Sequence, residues 1–171
     1  MEESIIISGR ISEKDLYRFN IYHAYTSSQG IFSIIVAVLF MATAIMRWSD
    51  LSDLYKVMYP LVAILFLLYI PMSLRLKAKN QILQPVFAEA LTYKFTDEGL
   101  VVSSPTAEDE ATLPWEYIYK VVAVNNCIYI FSNRVNAYII PKEFFGDKYD
   151  VAIDFMKSHV DDYKLSIKAA K

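Results

Sequence analysis

The chain has 171 residues, 55% of them hydrophobic and 21% charged, and it carries 17 basic and 19 acidic side chains. That length suits one compact domain or a small domain with an appendage, and the near-neutral balance offers no basic excess for nucleic acid. Four glycines and six prolines in so apolar a chain exclude disorder, while one cysteine and two histidines are too few for a disulfide scaffold or a zinc cluster.

Residues 1–23 read as a short cytoplasmic lead. Ile5–Ser8 is a strand-like apolar run that Gly9 ends. Ser12 to Asp15 has the form of a capping box, with Asp in place of the usual Glu, so a helix is expected from Glu13 running directly into a membrane. Leu16, Phe19 and His23 share one face of it, and His23 reads as an interfacial histidine rather than a pH sensor.

Residues 24–79 read as a two-span transmembrane hairpin. Ala24–Met46 gives 23 residues and Val57–Leu74 gives 18, both without an acidic or basic side chain. As helices they measure roughly 34 and 27 Å, against a hydrocarbon core of ~30 Å. Neither has a polar stripe at helical spacing, and so small a chain has too little surface to bury two such helices as a soluble core. Trp48, Tyr55 and Tyr59 cluster at one end of the pair, and Tyr22, Tyr25 and Tyr69 lie towards the other, as in aromatic belts. Pro60 falls near the start of the second span, and Pro71 is expected to bend its exit. Arg10, Lys14, Arg18, Arg75, Lys77 and Lys79 flank the outer ends, against Arg47 and Lys56 in the connecting loop, which places both termini in the cytoplasm of a multi-pass protein of the cell membrane. The start of the chain lacks the pattern of a cleaved signal peptide, so the first span is expected to remain as an anchor.

Residues 80–171 change texture. After a connector interrupted by Pro85 come short β-branched and aromatic runs: Leu91–Thr96, Leu100–Ser103, Ala111–Pro114 leading into Trp115–Val124, Cys127–Phe131 and Ala137–Ile140. Asp97–Gly99 and Asn125–Asn126 supply turns. Tyr149, Ala152, Ile153, Met156, Val160 and Tyr163 then form one helical face, with Asp147 as the expected cap. The fold class is α+β: a transmembrane α-helical hairpin followed by a small antiparallel sheet of five to seven strands, closed by a C-terminal amphipathic helix.

The order Tyr93-x-Phe95, Gly99-Leu100-x-Val102, Trp115-x-x-Ile118-x-Lys120-Val121, Tyr129-Ile130 and Ile139-Ile140-Pro141-Lys142, behind two spans, resembles the YcxB-like family of bacterial membrane proteins. The resemblance runs from about residue 13 to residue 165. It implies a pleckstrin-homology-like domain over 80–171 and no assigned biochemical role. It also implies structural parts for the matched residues: Gly99 at a turn of positive φ, Trp115 and Ile118 in the sheet interior, and Pro141 ending the last strand. The loop Thr106–Glu110 departs from the family in its acidity.

No catalytic constellation, metal-ligand cluster or cofactor motif is present in the sequence. Cys127 reads as a small buried hydrophobe, His159 as a cation at a helix C-terminus, and Glu108–Glu110 as a solvated acidic run. Residues 80–171 carry 9 basic and 13 acidic side chains, against 8 and 6 for residues 1–79, so the domain should be repelled by an anionic leaflet. Arg75, Lys77 and Lys79 are the candidate lipid head-group contacts. The expected role is a membrane-anchored cytoplasmic binding or scaffolding module that is not an enzyme, meets membrane lipids and a protein partner, and uses no cofactor. The alternative is an accessory subunit of a membrane transporter or membrane enzyme, with Ala37, Ala42, Ala44 and Ala63 as close helix contacts.

Overall fold

The computed structural model describes residues 4–105, 110–124 and 126–167. The fold is α+β and divides into two units. One contains the chain up to Leu16 together with Gln81 onward, and the other contains Tyr17–Asn80.

The first unit holds two four-stranded sheets. Strands β1 (Ile5–Gly9), β2 (Leu91–Phe95), β3 (Gly99–Ser103) and β4 (Ala111–Pro114) lie side by side in that order, every pair antiparallel. Alternation explains the faces: Ile5 and Ile7 of β1 and Leu91, Tyr93 and Phe95 of β2 are buried, while Ile6 and Lys94 point outward. The run Ile5–Ser8 therefore belongs to a sheet whose other strands begin beyond residue 90, with Ile5 opposite Phe95 and Gly9 opposite Leu91. The boundary drawn between a lead at 1–23 and a domain at 80–171 does not coincide with this unit.

The second sheet has the order β7 (Ala137–Pro141), β6 (Cys127–Phe131), β5 (Lys120–Val124) and β8 (Leu165–Ile167). All five residues of β6 are buried, as befits a strand covered on both faces. The C-terminal helix α4 (Tyr149–His159) buries Ala152, Ile153 and Met156. The sheets are tied by Tyr93, whose Oη donates to the Ile139 carbonyl at 3.3 Å, and by Phe95, packed 6.4 Å from Trp115 and 6.1 Å from Phe145 between ring centres.

Several local expectations are corrected. Trp115–Tyr117 is a 3₁₀ turn and not strand, so β5 starts at Lys120; the Trp115 indole donates to the Thr96 carbonyl at 2.8 Å and turns the chain from one sheet to the other. Gly99 has no positive φ, and Gly146 alone has one among the described residues. Gly99 is required for space, because a Cβ there would stand 2.4 Å from the Leu113 carbonyl oxygen across the ladder. Helix α4 starts after Lys148, with Asp147 inside a preceding 3₁₀ turn and no side-chain cap. Tyr163 lies beyond the helix and is exposed. The turn expected at Asn125–Asn126 and the loop Thr106–Asp109 include residues outside those described.

The second unit is helical, with α1 (Glu13–Thr26) leading into it, then α2 (Ser28–Met46) and α3 (Asp53–Gln81). The expected continuous span 24–46 is broken at Ser27, whose backbone is extended, and α1 and α2 are bent by 67°. Gly30 permits the bend, since a Cβ there would stand 2.6 Å from the Ala24 carbonyl oxygen. Helix α1 therefore does not run straight on from Glu13 as one rod. Helix α3 continues ten residues beyond Pro71, past the expected end at Leu74. At 29 residues it is ~43 Å long, and among the described residues it alone is long and apolar enough to cross a membrane as a single element. Only 11% of its most apolar 18-residue stretch is buried, unlike the core helix of a soluble protein. Phe40 of α2 meets Tyr59 of α3 edge to face at 5.7 Å, and Ala37, Ala44 and Ala63 are buried.

Candidate functional site

The three basic residues singled out from the sequence lie in the last two turns of α3, all exposed. Arg75 and Lys79 are four residues apart and share a face, whereas Lys77 points the other way at helical periodicity.

At the entrance of α1 the capping box forms as expected. The Ser12 backbone N–H donates to Asp15 Oδ2 at 3.1 Å, and the Asp15 N–H to Ser12 Oγ at 3.3 Å. Asp15 is buried, and the Cys127 sulfur stands 4.0 Å from its Oδ1. Cys127 is buried within β6, as expected of a packing residue. No group of three metal-ligating side chains occurs among the described residues.

His159 ends α4 and is more enclosed than its terminal position suggests. It stacks on Phe155 at 4.3 Å between ring centres, lies 5.5 Å from Trp115, and sets Nε2 3.6 Å from Asp97 Oδ1. Tyr93 is also enclosed, and burial pushes its phenol well above the ordinary tyrosine range, with Tyr138 adding to the effect; the group stays a neutral donor. Neither arrangement brings a nucleophile and a base together in an open cleft.

What the unit does present is strand edges. The end of β1 is covered, because Gly9 lies against the Phe144 ring so closely that a Cβ would collide with it. Strand β4 is short and ends in Pro114, and β7 ends in Pro141, both lacking an N–H. The fourth edge belongs to β8, which lies parallel to β5 with Leu165 beside Val121 and Ile167 beside Ala123. No sequence signal announced β8: three residues beyond a helix carry no readable period.

Residues 95–156 match the family model described as YcxB-like protein. No curated protein and no solved structure matches the chain. The YcxB-like segment runs from the last residue of β2 to Met156 of α4, so it takes in Trp115, Ile118 and Pro141. Trp115 and Ile118 are buried as the resemblance implied, and Pro141 closes β7. Both β1 and β8 lie outside the YcxB-like match, one at the margin of each sheet.

Proposed function

We propose that this protein is a membrane-anchored cytoplasmic binding or scaffolding module, in which an α-helical hairpin spans the membrane and the two-sheet unit engages a protein partner. One observation carries the reading. Strand β1 precedes the helices and β2 follows them, yet the two are hydrogen-bonded neighbours over five residue pairs. A chain that leaves its own sheet and returns to it must cross a bilayer an even number of times. Since α3 is apolar and exposed, the second crossing falls to α2, with or without part of α1. The six flanking basic residues against two in the loop favour a cytoplasmic two-sheet unit with both termini. Two four-stranded sheets closed by one helix agree with a pleckstrin-homology-like layout. The exposed apolar flanks of the helices would meet lipid tails, and Arg75, Lys77 and Lys79 the head groups, at about 1 kcal/mol each.

Binding is favoured over catalysis because the enclosed polar groups are spent on capping and on joining the sheets. It is favoured over an accessory-subunit role because Ala37, Ala44 and Ala63, three of the four small residues suited to a second protein's helices, are already buried in this chain, and Ala42 is half-buried. The test uses single cysteines at Asp50 and Ser132 in intact cells, with the buried Cys127 as a silent background. Asp50→Cys should react with an impermeant maleimide and Ser132→Cys should do so only after permeabilisation. Labelling of both from outside, or release of the protein by alkaline carbonate, would overturn the proposal.

A further inference from the structure

We infer that the edge of β5 is a peptide-docking edge which the chain's own segment Leu165–Ile167 occupies, and that an extended partner peptide with a basic residue before an apolar-x-apolar triplet displaces it. The inference rests on the binding-module reading and names the site and its regulation.

Strand β8 differs from the other strands of its sheet. It is three residues long, and its pairing with β5 is parallel where the remaining pairs are antiparallel. Parallel pairing is slightly the weaker per residue, and so short a strand contributes few bonds. What it covers is nevertheless apolar, for Val121, Val122 and Ala123 of β5 are all buried. The approach to β8 is exposed. Tyr163 is 83% exposed, Ser166 is exposed, and a 3₁₀ turn over Asp162–Lys164 connects to α4.

One polar anchor gives the occupant its chemistry. Lys164 Nζ donates to the Glu116 carbonyl at 3.2 Å and lies 3.6 Å from an Asp161 carboxylate oxygen, although the side chain is largely enclosed. Glu116, Asp161 and Asp162 make this rim acidic. The sequence Lys-Leu-Ser-Ile therefore reads as a ligand in place: a cation on an acidic rim, then two apolar side chains on the face shared with Val121 and Ala123. A partner strand of the same pattern would add to the sheet by main-chain bonds and take over the same contacts. The tethered segment competes as an intramolecular ligand, so apparent affinity for a partner falls by the fraction of time the edge is open.

The experiment uses the full chain in detergent micelles and a fluorescein-labelled hexapeptide, Asp-Tyr-Lys-Leu-Ser-Ile, with a control in which its Leu and Ile are replaced by Asp. The double variant Leu165→Asp, Ile167→Asp should bind the hexapeptide about tenfold or more tightly than the unaltered protein, and the control peptide should not bind. In the unaltered protein, saturating hexapeptide should accelerate amide exchange at residues 165–167 and leave 121–123 protected. Equal affinity in a folded double variant, or binding without faster exchange at 165–167, overturns the inference. Should the variant fail to fold, the exchange measurement decides alone. Failure here leaves membrane anchoring standing, since the probe reads the edge without a bilayer.

Discussion

The two units of this protein are rich in the same side chains and use them in opposite ways. In the two-sheet unit the large apolar residues turn inward: Tyr93, Phe95, Leu100, Ile118 and the five residues of β6 have almost no exposure. In the helical unit Phe32, Leu39, Leu65, Leu68 and Met72 all stand out from the helices. Water tolerates the first arrangement and not the second, because apolar area left in water forgoes about 25 cal/mol for every Å². A contiguous apolar surface of that extent marks an interaction with something other than water. The contrast shows that hydrophobic content alone does not separate a core from an anchor; the periodicity of its placement does.

The largest expected effect attacks the two-sheet unit where it is discontinuous. Ile7→Ala, at a buried position of β1, should cost about 2–4 kcal/mol. Urea unfolding followed by Trp115 fluorescence in a Trp48→Phe background checks this. Leu68→Ala, of similar chemistry but exposed on α3, should move the same transition by less than about 0.5 kcal/mol. The next effect separates the solvents of the two units. Leu68→Arg would be harmless on a wet surface, but at the centre of a span it costs about 2.5–3.5 kcal/mol, so the membrane-bound fraction should drop. Unchanged fractionation would mean that the exposed face of α3 does not meet lipid.

Gly99→Ala should destabilise the two-sheet unit by about 1–3 kcal/mol, since the new methyl meets the Leu113 carbonyl rather than a yielding side chain. The smallest effect is at Tyr93. Tyr93→Phe should cost about 1 kcal/mol through loss of the bond to Ile139. The folded phenol titrates higher than the ordinary value near 10, so its protonated form favours folding. The associated stability is present below about pH 10 and is lost as pH rises towards the folded pKa. Urea midpoints at pH 8 and pH 10.5 should therefore diverge more in the unaltered protein than in Tyr93→Phe.

Much of this architecture was legible in the residues. Strands β2, β3, β6 and β7 announce themselves by β-branched and aromatic runs between turn signals, and the Ser12–Asp15 box fixes the start of α1 within a single turn. The unread parts have physical reasons. The partner of β1 lies more than 80 residues away, and no local pattern encodes a long-range register. Trp115–Tyr117 looks like strand because aromatic residues favour strands, but the indole bond to Thr96 prevails. The bend at Ser27 falls in a stretch with no charge to mark it, and only the close approach at Gly30 reveals the need. For the candidate site, the basic trio Arg75, Lys77 and Lys79 was visible, and all three stand exposed at the end of α3. The β5 edge was hidden because its occupant is only three residues long.

The pairing of β1 with β2 also sets an order of events during synthesis. Strand β1 is made before the helices, and its partner emerges only after the entire helical segment. At about 5–20 residues per second, several seconds separate the two. On the proposed hairpin topology, the sheet can close only when both flanks of the helices have reached the same compartment. A chain with one helix misplaced would keep β1 and β2 apart, leaving the buried face of Leu91, Tyr93 and Phe95 uncovered on one side. On that topology, completion of the first sheet reports that both ends of the helical segment lie on one side of the membrane.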